Sequence, residues 1–124
     1  MEGTGKILVV DDNPYDLILI KELLNKEYHI QTVSSARAAL QSLRNQSFNL
    51  VITDMCMPKM DGFKLVESIK SQWPGIPVIM VSATLEKNCQ QKVLEMNVAA
   101  FLNKPIAKSS LMNTIEQVIS NSHD

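Results

Sequence analysis

Glycine is scarce in this chain. Four occur in 124 residues, none in the spacing of a dinucleotide or nucleotide loop, which argues against a Gly-rich phosphate cradle after the first strand. Cysteine is scarcer still. Cys56 and Cys89 stand in no metal-ligand spacing, so no zinc module is expected and both read as reduced thiols. His29 and His123 have no such spacing either. Charge of one sign is missing: 12 basic against 13 acidic residues leave −1, with no Lys/Arg cluster, which argues against direct nucleic-acid binding. No apolar run approaches the ~20 residues of a membrane helix, so no membrane association is expected. Met1 to Lys6 carry no apolar stretch, and Asp11 interrupts the one that starts at Ile7, so no signal peptide is expected and the chain reads as cytoplasmic. Repeats, linkers and low-complexity stretches are absent, and residues 1–124 are expected to form one domain.

What is present is an alternation. Ile7–Val10, Leu50–Thr53 and Val78–Val81 are apolar runs without polar interruption, and His29–Val33 and Ala99–Leu102 are shorter candidates. Continuous apolar runs suit strands covered on both faces. Between them lie helical patterns. Asn13-Pro14 is a cap followed by proline at the first helical position, opening a helix to about Asn25. Ser35 opens Ala36 to Leu43, and Asp61 opens Gly62 to Ile69. Leu85, Cys89, Val93 and Met96 mark a fourth helix from near Thr84, and Ser109 opens a fifth with Leu111, Ile115, Val118 and Ile119 on one face. Five strand–helix alternations predict an α/β fold with a parallel sheet.

In open α/β sheets, ligands bind outside the carboxyl ends of the strands. Asp11 and Asp12 follow the first expected strand, Asp54 the third, Ser82 the fourth and Lys104 the fifth. Singly, each has an ordinary explanation as a cap or turn residue. Jointly they bring three carboxylates, a hydroxyl and an ammonium to one rim. Clustered carboxylates repel, and uncompensated they push one another toward protonation. Lys104 compensates in part, and a hard divalent cation completes it. Mg2+ fits, because it takes one or two carboxylates, keeps waters and finishes its shell with phosphate oxygens.

The residues then carry a resemblance. Leu8-Val-Val-Asp11-Asp12-Asn13, Thr53-Asp54-Met55-Cys56-Met57-Pro58-Lys59-Met60-Asp61-Gly62, Val81-Ser82-Ala83 and Asn103-Lys104-Pro105 stand in this order between about Lys6 and Ile119. Together they resemble the receiver domain of two-component response regulators, the CheY-like family. The resemblance implies a flavodoxin-like, doubly wound (βα)5 three-layer sandwich with strand order 2-1-3-4-5. It implies Asp54 as phosphoacceptor, and Mg2+ held by Asp11, Asp12, Asp54 and the backbone carbonyl of Cys56. Ser82 and Lys104 would contact the phosphoryl oxygens, and Lys104–Pro105 would be a cis peptide, a form that only an X-Pro bond makes cheap. Ser82 and Phe101 would form the switch that alters the face of the fourth helix, fifth strand and fifth helix. That face serves an output domain or protein, or a phosphorylation-dependent homodimer. The upstream partner would be a sensor histidine kinase or a histidine phosphotransfer protein. The chain stops after the fifth helix, so no output domain is expected in it.

On the first helix Leu17, Leu19, Ile20, Leu23 and Leu24 share one broad side. Ile18 falls away from them, near Pro14 and Tyr15, as a candidate docking patch for the phosphodonor. A Mg2+-dependent phosphohydrolase is the rival from the enzyme class. It would need an acidic residue two positions after the nucleophile, where Cys56 stands, so a switch rather than an enzyme is expected.

Overall fold

The computed structural model describes residues 5–54, 56–57, 60–82, 91 and 95–122, with the backbone alone for 56–57, 60–61 and 121–122. Five strands, β1 (Lys6–Val10), β2 (His29–Val33), β3 (Leu50–Asp54), β4 (Val78–Ser82) and β5 (Ala100–Asn103), form one parallel sheet in the order β2-β1-β3-β4-β5. Among the described residues four helices accompany them: α1 (Pro14–Leu24), α2 (Ala36–Asn45), α3 (Gly62–Gln72) and α4 (Lys108–Ser122). The helix expected from Thr84, with Cys89 on its stripe, lies largely outside the described residues.

The apolar runs become strands because both faces of the sheet are covered. Side chains alternate across it. Ile7 and Val9 of β1, with Leu50 and Ile52 of β3, pack under Leu17, Ile20 and Leu24 of α1 and Leu111 and Ile115 of α4. Leu8, Val10 and Val51 point the other way, against Ala39 and Leu43 of α2 and Leu65, Val66 and Ile69 of α3. Each such fully buried aliphatic side chain contributes roughly 1.5–3 kcal/mol relative to exposure. The result is a three-layer sandwich. Trp73, half-buried after α3, packs against the second of these cores.

Helix starts follow the side-chain chemistry read from the sequence. Asn13 caps α1 by accepting from the Tyr15 N–H at 2.9 Å, with Pro14 at the first helical position. Ser35 caps α2 by accepting from the Ala38 N–H at 3.0 Å. Several expected boundaries move. Asp54 and Ser82 are the last residues of their strands rather than the first beyond them. Asp61 lies in a two-residue antiparallel ladder that joins Cys56–Met57 to Met60–Asp61, and α3 opens at Gly62, the first helical residue expected. The last helix opens at Lys108, one residue before Ser109. Leu19 also departs from the buried side assigned to it. It is 42% exposed, because at 100° per residue it lies about 130° from the centre of the buried stripe of Leu17, Ile20 and Leu24. Before β5, Asn97 turns the chain at φ 55°, and Lys70 of α3 donates to the carbonyls of Met96 and Asn97 at 2.7 and 2.8 Å. A cation on these carbonyls satisfies acceptors that a helix end leaves unpaired.

Candidate functional site

Every strand of a parallel sheet points the same way, so the residues at their carboxyl ends share one rim. The strand order then decides which of them meet. The chain leaves β1 for β2 on one side and returns to β3 on the other, so β1 and β3 are direct neighbours, with Val10 beside Thr53. This is the switch point at which doubly wound folds bind ligands. Asp11 and Asp54, one residue further on, flank it. Both are buried, at 1% and 7% exposure.

The carboxylates of Asp11, Asp12 and Asp54 each offer an oxygen, all within 4.8 Å of one another. Asp11 is fixed at both oxygens. Its Oδ1 accepts the Asn13 N–H at 3.0 Å, and its Oδ2 accepts from Lys104 Nζ at 2.7 Å. Thr53, fully buried, donates its hydroxyl to the Asp54 carbonyl at 3.2 Å and pins the last peptide of β3. Lys104 arrives from beyond β5. Its backbone N–H donates to the Ser82 carbonyl at 2.8 Å, and the Lys104–Pro105 peptide is cis.

The Lys104 ammonium sits among three carboxylates: Asp11 at 2.7 Å, Asp16 at 2.8 Å and Asp54 at 3.0 Å. Burial alone favours loss of its proton. The bonds to Asp11, Asp16 and Asp54 outweigh burial and hold its pKa well above the ordinary lysine range. Asp16 was missed in the sequence. It occupies the third position of α1, where an acidic residue is an ordinary helix-start feature. The available signal was density: Asp11, Asp12 and Asp16 fall within six residues.

The other expected site residues are distributed as follows. Ser82 is buried at the end of β4, beside Asn103 in register. Phe101 is half-buried in β5, opposite Met80, and packs against the core under α2 and α3. The backbone of Cys56 lies two residues past Asp54, in the short ladder. Pro14, Tyr15 and Ile18 are exposed, Tyr15 at 80% and Ile18 at 57%. Leu19 lies with them, at the edge of a groove lined by Asp16, Ile20, Lys104, Pro105 and Ile106.

The donor set suits a hard cation. Among the described residues three carboxylates converge, two of them buried, with one ammonium against them, and oxygen-only sites of this kind favour Mg2+. Asp11, Asp12 and Asp54 are the residues that would hold it.

Comparison with known proteins agrees with this geometry. The model of the response regulator receiver domain matches residues 7–116. A two-component response regulator of Arabidopsis thaliana is 36% identical over 120 residues, covering 94% of this chain and 22% of the relative. A hybrid signal transduction histidine kinase of Dictyostelium discoideum is 31% identical over 116 residues, 92% of this chain and 8% of the relative. The chain thus spans less than a quarter of either. Among solved structures, a CheY-like response regulator receiver domain from Methanospirillum hungatei superposes with a TM-score of 0.90 at 26% identity, covering 97% of both chains. On the residues matched and on the fold, this chain belongs to the response regulator receiver domains of two-component systems.

Proposed function

We propose that this chain is a phosphorylation-activated switch that accepts a phosphoryl group on Asp54. The observation that carries the reading is the buried Asp54 carboxylate, held between the Asp11/Asp12 pair and the Lys104 ammonium at the sheet's switch point. An Asp54 oxygen attacks phosphorus, the donor's leaving group departs, and an aspartyl phosphate remains. A carboxylate attacks an anionic phosphoryl group only when charge is offset and the reactants are aligned. Lys104 supplies a positive charge 3.0 Å from Asp54 Oδ2. Asp11, Asp12, Asp54 and the Cys56 carbonyl would hold Mg2+, which would supply further positive charge against the incoming phosphoryl group.

The donor is a sensor histidine kinase or a histidine phosphotransfer protein, a reading supported by the family. Pro14, Tyr15 and Ile18, with Leu19 beside them, offer it a docking patch next to the site. The output is a change at Ser82 and Phe101. A phosphoryl oxygen within reach of the Ser82 hydroxyl exists only after phosphorylation, and a state-dependent contact of this kind is what shifts a conformational equilibrium. Phe101 carries no hydroxyl, so turning inward leaves no buried polar atom unpaired. The face around β5 and α4 then engages an output domain, an output protein or a second copy.

Intact-mass measurement with acetyl phosphate and Mg2+ tests the core of this reading. The wild type gains an alkali-labile adduct and Asp54→Asn does not; an adduct that persists in Asp54→Asn refutes it. For the switch, beryllofluoride should shift the amide signals of Phe101 and of β5, and changes restricted to the loops around Asp11, Asp54 and Lys104 refute that part. For the patch, Ile18→Asp should slow transfer from the kinase and leave acetyl phosphate labelling intact.

A further inference from the structure

Lysine has three N–H donors and no acceptor. On Lys104 they meet three carboxylates with different obligations. Asp11 and Asp54 belong to the cluster that suits a metal ion, and Asp54 is also the proposed phosphoacceptor. Asp16 lies outside that cluster and has no part in either task. Its position on α1 invites a bland assignment. The third helical residue commonly reaches back to the N–H of the capping residue. Here that N–H, on Asn13, is donated to Asp11 Oδ1. The Asp16 carboxylate is turned instead to Lys104, 2.8 Å away and 88 residues along the chain.

We propose that Asp16 is a positioning residue for phosphoryl transfer: its carboxylate anchors the Lys104 ammonium at the rim when Asp11 and Asp54 are engaged by metal and phosphoryl group. The inference rests on the phosphoacceptor reading of Asp54. In the state described, the ammonium's three donors are all spent on carboxylates. Reaching a phosphoryl oxygen requires one of them to move. The bond to Asp54 Oδ2, the longest of the three at 3.0 Å, is the one that shifts with least travel, because the new oxygens are attached to the same residue. The Asp11 oxygen is shared with the metal. The Asp16 bond is the one that stays. Its backbone is held by the Asn13 cap and by Leu17 and Ile20 buried beneath α1. Without it, a four-carbon stem at the mouth of the site regains its rotamers whenever the other two partners are claimed. The pair is partly open to water, with the Asp16 side chain 28% exposed, so its value lies in geometry more than in stability.

Asp16→Ala and Asp16→Asn test this with two readouts. The first is the Lys104 side-chain ammonium signal by NMR, recorded without metal or phosphodonor. The second is the rate of Asp54 labelling over a range of acetyl phosphate concentrations in saturating Mg2+. Asp16→Ala should broaden or lose the ammonium signal and lower the maximal labelling rate about ten-fold, with the half-saturating donor concentration little changed. Asp16→Asn keeps an oxygen acceptor, and should restore the signal and bring the rate back to within about three-fold of wild type. Wild-type labelling by Asp16→Ala overturns the proposal. A slower rate with an unaltered Lys104 signal also overturns it, as does an Asn variant no better than Ala. A wild-type chain that takes no phosphoryl group overturns the phosphoacceptor reading and the kinetic role together; the Lys104 signal, which needs neither metal nor donor, separates that failure from a missing anchor.

Discussion

Two lysines stand at opposite ends of the same sheet, in opposite electrostatic company. Lys6 opens β1. Its ammonium donates to Gln46 Oε1 and lies 5.3 Å from the centroid of the Phe48 ring. The Gln46 amide donates to Gln31 Oε1 at 2.8 Å, and the Gln31 amide to the Ser42 hydroxyl at 2.9 Å. Every partner in that chain is neutral. Lys104, beyond β5, faces three carboxylates with Asp12 close behind. One network sets its cation among neutral acceptors. Among the described residues the other holds a surplus of negative charge that a cation or a rearranged ammonium relieves. Buried polar networks rigidify when complete. An unbalanced one responds to ligands, and that is the property a switch requires.

The contrast can be broken at its strongest point first. Asp54→Asn should abolish phosphoryl labelling completely, while substitutions around Lys6 leave labelling at wild-type levels, both read by intact mass. Lys104→Met comes next. Removing the ammonium leaves Asp11 and Asp54 buried without their counter-charge, a change that costs about 3 kcal/mol at neutral pH in denaturant melts. Added Mg2+ should recover part of that loss, since a cation answers the same carboxylates. A pH series sharpens the point. A lysine whose pKa is raised in the fold contributes fully below about pH 10, its unfolded value. The contribution is lost as pH rises through the folded value. Wild-type stability should therefore fall more steeply above about pH 10 than that of Lys104→Met.

Asp12→Asn should act with the opposite sign. Removing one of the clustered charges is expected to raise metal-free stability by about 1 kcal/mol, and Mg2+ should then raise the melting midpoint less than in wild type. A destabilised Asp12→Asn would show that the carboxylates are already balanced. The smallest effect belongs to the neutral end. Gln46→Ala removes acceptor and donor together and should cost about 1 kcal/mol, with no change in labelling rate or in the response to Mg2+.

The sequence alone determined a good deal here. Short, β-branched, uninterrupted runs such as Ile7–Val10 and Val78–Val81 suit strands covered on both faces, and the Asn13-Pro14 and Ser35 caps stated where α1 and α2 begin. Such features are local, set by side-chain chemistry within a few residues. The ordered motifs around Asp11, Asp54, Ser82 and Lys104 made the family legible. Periodicity could not supply the strand order, because it carries no information about which strands pair. The Cys56–Asp61 ladder was also illegible, since two-residue strands have no pattern to read. Leu19 lay on the broad apolar side of α1, and only the neighbouring elements decided that the buried stripe would centre about 130° away from it. Asp16 shows the limit most plainly. Its sequence context is that of a helix start, and its partner lies 88 residues away. Only the folding of β5 beside β4, which brings Lys104 over the end of α1, decided that its carboxylate would hold the ammonium rather than cap the helix.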